Sequence, residues 1–138
     1  MKKITTHSFE ETQTIGLDFA QTLKGGTVLA LHGDLGSGKT TFVQGLAKGL
    51  GITGNIISPT FIIVRTYTLP TGGNFYHIDL YRIESEQDIE GLGLSEIMAD
   101  PNNIVAIEWP EKIAGLLPKH AKALHFRYLN DDNREIEL

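Results

Sequence analysis

Eight consecutive residues, Gly33, Asp34, Leu35, Gly36, Ser37, Gly38, Lys39 and Thr40, match G-x-x-x-x-G-K-[ST] at every fixed position. Glycines let a backbone wind tightly enough for successive N–H groups to point inward. Those donors, with the start of a helix, suit a pyrophosphate. In such a loop the Lys39 ammonium bridges the β- and γ-phosphates and the Thr40 hydroxyl ligates Mg²⁺. The bland reading is a glycine-rich turn with a solvated lysine. Its context argues otherwise, because an apolar run of strand length, Thr27 to His32, precedes the loop and a helical pattern follows it. The motif alone does not choose among kinases, GTPases, motors and ATPases.

A second chemical feature is the run Ile104-Val105-Ala106-Ile107-Glu108-Trp109-Pro110. Four aliphatic residues predict a buried strand, and an acid at its end can project into the crevice where open α/β sheets bind ligands. There Glu108 would help hold Mg²⁺, as a carboxylate does in phosphate-loop proteins. Alternatively Glu108 begins a loop, Trp109 plugs the core and Pro110 opens a helix. For Trp109 packing is the favoured expectation.

Two further stretches carry polar groups. In "HIDLYR" the strand period puts His77, Asp79 and Tyr81 on one face and Ile78 and Leu80 on the other. Asp79 could then orient or deprotonate a water, or stand behind the Mg²⁺. It reads also as a solvent-facing strand with an Arg82 ion pair. In "NIISPTF" Ser58 and Thr60 flank Pro59, and Thr60 is the preferred γ-phosphate sensor beside the alternative of a Ser-Pro turn. His7, His32, His120 and His125 show no metal-ligand spacing.

The elements that must position these groups are legible from periodicity. Ser8 and Glu11 form a capping box, and Ile15, Phe19 and Leu23 extend a helix to Lys24. Phe42, Val43, Leu46, Ala47 and Leu50 mark a second helix, closed by Gly51. "TFIIVRTYTL" and "FYHIDLYRI" around "PTGGN" predict a hairpin, and "SEQDIEGLGLSEIM" predicts short helical pieces broken by glycines. After the core strand ending at Glu108, "ALHFRYL" and "REIEL" predict a final strand pair around "NDDN". The expected architecture is a single α/β domain over residues 1–138, with a mixed parallel and antiparallel central sheet flanked by helices, in a P-loop NTPase fold.

Composition narrows the function. Twelve basic against 17 acidic residues give a net charge of −5, the wrong sign for a broad nucleic-acid grip. The absence of cysteine excludes disulfides and thiolate metal sites. No apolar run is long enough to span a bilayer and the N-terminal residues turn polar early, so no membrane association and a cytoplasmic location are expected.

"GDLGSGKTT", "SPTF", "HIDLYR" and "IEWPEK", in that order, closely resemble the bacterial TsaE family, also known as YjeE, over nearly the whole chain. The resemblance implies a small Mg²⁺-dependent ATPase that supports TsaB and TsaD in making threonylcarbamoyladenosine on tRNA, without itself transferring the carbamoyl group. It implies ATP at Gly33 to Thr40 with Thr41, Mg²⁺ at Thr40 and Glu108, Thr12 near the nucleotide base, and Lys39, Thr60, Asp79 and Glu108 in hydrolysis. It also implies contact with tRNA only through the TsaB–TsaD assembly. The family often has Ala where this chain has Ser37.

Other classes fit less of the sequence. A small-molecule kinase needs an arginine-bearing lid, and Arg65, Arg82, Arg127 and Arg134 form no such cluster in the chain. A GTP switch would find D-x-x-G spacing in Asp88 to Gly91, yet no N-K-x-D motif appears. A third reading is an interaction module that binds nucleotide without turning it over.

Overall fold

The computed structural model describes residues 2–53 and 64–138. Its strands are β1 (Lys3–Thr6), β2 (Val28–His32), β3 (Val64–Thr68), β4 (Asn74–Asp79), β5 (Ile104–Glu108), β6 (Lys122–Asn130) and β7 (Asn133–Glu137), and its α-helices are α1 (Phe9–Ala20), α2 (Lys39–Gly49) and α3 (Leu94–Ala99). The seven strands form one sheet in the order β1-β7-β6-β2-β5-β4-β3. β4, β5, β2 and β6 run parallel, while β3, β7 and β1 add antiparallel edges. The mixed sheet agrees with the expectation from sequence.

Central strands buried on both faces need apolar residues throughout, which β2 and β5 supply. Alternation then divides them. Leu29, Leu31, Ile104 and Ala106 meet Phe42, Val43 and Leu46 of α2 on one face, and Val28, Val105 and Ile107 meet Leu94, Met98 and Ile113 on the other.

The cap of α1 differs slightly from the simple box. Ser8 Oγ accepts the Glu11 N–H, and the Glu11 carboxylate reaches back to the N–H of His7, one residue earlier than the pattern requires. The helix ends at Ala20, short of the expected Leu23; the chain continues in tighter turns, with Thr22 and Leu23 donating to the carbonyls of Phe19 and Ala20, so Leu23 still packs on the core. Strand β1 was not expected from sequence. Its four residues lack a strong apolar alternation and pair only at the edge, against β7. The expected hairpin forms as the antiparallel pair β3 and β4; its first residues, Thr60 to Ile63, and Ser58 before them lie outside the described residues.

α1 and α2 pack with almost no separation. A Cβ on Gly45 would stand 1.9 Å from the Gln13 carbonyl oxygen, and one on Gly16 would stand 2.2 Å from that of Phe42. Only glycine permits this approach.

Candidate functional site

The P-loop segment leaves β2 at its C-terminal end and delivers Lys39 as the first residue of α2. Gly38 makes that junction in the left-handed region, with φ of 101°, where a side chain would be strained. Thr12, Leu35, Gly36, Ser37, Gly38, Lys39, Thr40 and Thr41 line one cavity of about 390 Å³, together with Asp79 and Glu108 from the sheet. Gly33 and Asp34 are not among the lining residues: the Gly33 carbonyl accepts a hydrogen bond from Lys39 Nζ, and the Asp34 carbonyl accepts the Ser37 N–H. Thr60 lies outside the described residues.

Lys39 is buried, and its ammonium sits 4.0 Å from the centre of the Trp109 ring. Burial lowers its pKa, opposed by the carboxylates of Glu108 and Asp79. Trp109 takes φ of 60°, left-handed backbone that is uncommon for so bulky a residue, and its ring leans on Tyr81 with 5.2 Å between centres. It is therefore both core packing and cavity wall.

The opposite wall is made by β4 and β5. Their parallel register sets Asp79 beside Glu108. Thr40 Oγ1 lies 3.3 and 3.5 Å from the two oxygens of Glu108, bringing the hydroxyl and carboxylate paired by sequence into contact. Asp79 Oδ1 accepts the Tyr81 N–H at 2.9 Å. Burial raises the Asp79 pKa, with nearby Glu108 adding to the effect and the Tyr81 N–H opposing it. Lys112 clips the following turn in place through the carbonyls of Tyr81, at 2.6 Å, and Ile83, at 2.8 Å.

The "HIDLYR" face is not arranged as expected. β4 stops at Asp79, so Tyr81 belongs to the turn, although it still lines the cavity. His77 is fully buried rather than displayed, and its Nε2 lies 2.5 Å from Glu108 Oε2. The alternation correctly placed it on the Asp79 face; helices cover that face, which a two-residue period does not reveal. Arg134 also escaped notice. It comes from β7, stacks on Tyr128 and donates from Nε to the Gly36 carbonyl, a contact across the sheet without a local sequence signal.

Oxygen donors from Thr40 and Glu108 suit a small hard cation, whose adjacent ligands stand about 3 Å apart. Among the described residues no group of three or more His, Cys, Asp or Glu side chains is arranged to hold a metal. The donor set thus fits Mg²⁺ shared with phosphate and water better than a cation held by protein alone.

A glycine-rich strand-to-helix loop, opening beside an acid at the end of a neighbouring parallel strand, defines the protein as an α/β chain of the P-loop fold. Residues 6–136 match the family described as threonylcarbamoyl adenosine biosynthesis protein TsaE, and the chain belongs to that family. It is 43% identical over 130 residues to the tRNA threonylcarbamoyladenosine biosynthesis protein TsaE of Bacillus subtilis, covering 92% of this chain and 78% of the relative. The Rickettsia bellii protein of the same name is 42% identical over 129 residues, covering 93% and 88%. The crystal structure of Bacillus subtilis YdiB superposes with a TM-score of 0.80 at 37% identity, covering 98% of this chain and 82% of that one.

Proposed function

We propose that the chain is a Mg²⁺-dependent ATPase, an accessory subunit of tRNA threonylcarbamoyladenosine synthesis whose cycle supports turnover of a TsaB–TsaD assembly. The observation that carries this reading is the meeting of Thr40 and Glu108 at 3.3 Å beside the phosphate loop. In this reading the loop's N–H groups and Lys39 hold the phosphates, Thr40 and Glu108 hold Mg²⁺, Thr12 stands toward the base, and Thr41 extends the polar floor. Bound Mg²⁺ supplies charge neutralisation on the phosphates. Asp79, whose raised pKa suits proton exchange, orients the attacking water and receives its proton. Thr60, outside the described residues, is assigned the role of γ-phosphate sensor in this reading.

Lys39 donates to the Gly33 carbonyl and, as an ammonium, keeps two further N–H donors for phosphate. Slow turnover by the isolated chain, stimulated by partners, is the behaviour expected of a site completed at an interface. TsaB and TsaD are the proposed partners, with tRNA reached only through them. The cytoplasm is the proposed compartment; no helix among the described residues is long and apolar enough to cross a membrane. Reconstitution with TsaB, TsaD and tRNA tests the reading. Repeated modification cycles are expected to require this chain and ATP, and to fail with Lys39→Ala, Asp79→Ala or Glu108→Ala. Wild-type cycling with all three variants would overturn it.

A further inference from the structure

His77 is fully buried, and its two ring nitrogens have unequal surroundings. Nε2 lies 2.5 Å from Glu108 Oε2, whereas Nδ1 has no hydrogen-bond partner among the described residues. A proton on Nδ1 would be a buried donor without an acceptor; a proton on Nε2 has the carboxylate directly before it. The strand register makes room for this contact. His77 stands opposite Ala106, whose methyl group leaves space for the ring to reach Glu108, the next residue on the same face of β5.

A glutamate has several rotatable bonds, and the 3.3 and 3.5 Å contacts with Thr40 are too long to fix one by themselves. A competing attraction is the Lys39 ammonium, on which Glu108 acts electrostatically. A Glu108 free to turn would pair with Lys39 and withdraw both groups from their ligand. Among the described residues the shortest hydrogen-bond contact of the Glu108 carboxylate is with His77, which is not among the residues lining the cavity.

We infer that His77 is a positioning residue: its Nε2–H donates to Glu108 Oε2 and holds that carboxylate toward Thr40 and away from Lys39. The inference rests on the proposal that Glu108 holds Mg²⁺. Outer partners of metal ligands typically govern affinity by about 10- to 100-fold when removed.

The experiment measures the Mg²⁺ concentration that half-saturates binding of a fluorescent, non-hydrolysable ATP analogue, in wild type, Glu108→Gln, His77→Leu and His77→Gln. Leucine keeps nearly the same bulk without a donor, and the glutamine amide places an N–H near the reach of Nε2. His77→Leu is expected to raise the Mg²⁺ requirement about tenfold or more, with His77→Gln restoring most of it. An unchanged requirement in Glu108→Gln would defeat the metal-ligand proposal and this inference with it. A raised requirement in Glu108→Gln with no change in His77→Leu would defeat the inference alone, as would loss in His77→Leu without recovery in His77→Gln. If His77→Leu does not fold, the glutamine variant and ¹⁵N NMR of the wild-type ring decide. A proton on Nε2 and none on Nδ1, with near wild-type Mg²⁺ dependence in His77→Gln, supports the assignment; a proton on Nδ1 or a tenfold defect in His77→Gln overturns it.

Discussion

The loop from Leu35 to Gly38 lines one side of the cavity, while the ends of β4 and β5 contribute the side chains of Asp79 and Glu108. These walls need different support. A backbone N–H is aimed by φ and ψ alone, so the loop depends on glycine geometry and on the start of α2. A carboxylate has to be aimed by neighbours. Glu108 has His77 behind it, Asp79 has the Tyr81 N–H, and the turn after Asp79 has Lys112. The comparison teaches that damage to the loop is expected to stay local to it, whereas damage to the acid wall can also come from the layer beneath it.

The sharpest separation of the two walls sets Lys39→Ala against Glu108→Gln. Both are expected to lower partner-stimulated ATP turnover by roughly 100- to 1,000-fold, read by phosphate release. Nucleotide titrations then distinguish them: the Lys39 variant weakens binding at every Mg²⁺ concentration, and the Glu108 variant recovers as Mg²⁺ rises.

Asp79 offers the next largest effect. Asp79→Asn keeps an oxygen for the Tyr81 N–H, so turnover falls about 100-fold while the melting temperature holds; Asp79→Ala loses both. Equal melting losses would show that Asp79 supports its turn through charge.

Beneath the loop, Gly45→Ala forces a methyl group against the Gln13 carbonyl. A loss of about 1–3 kcal/mol is expected in urea unfolding. Ser37→Ala is smaller and opposite in sign. The Ser37 hydroxyl is buried without a partner among the described residues, so its removal is expected to be neutral or to add up to about 1 kcal/mol.

The smallest effect concerns pH. His32, whose ring stacks on His125, has its pKa lowered from 6.5 by burial and then by His125. The unfolded chain therefore binds its proton first as pH falls. Stability is full above the ordinary imidazole value and is lost downward through the lowered one, and His32→Asn is expected to flatten that part of the melting-temperature profile.

The unequal construction of the walls also explains what could be read in sequence. A backbone site is written as spacing, and "GDLGSGKT" holds six residues that line the cavity, Leu35 to Thr40. Glu108 was legible because four aliphatics preceded it, and Asp79 because it alternated with them in "HIDLYR". Their supports were not. His77 looked like part of an open polar face until the packing above that face was known, and Arg134 arrives from the far strand β7. Trp109 resisted assignment for a related reason: its left-handed backbone, which turns the ring onto Lys39, has no signature in residue type.

The near-contact of α1 and α2 has a mechanical consequence. At Gly16 and Gly45 the two helices meet with glycine directly against the other helix's backbone, leaving no room there for a side chain to yield. Thr12 and Lys39 consequently ride on a common rigid strut, and the span between them is a fixed gauge against which an entering molecule is measured.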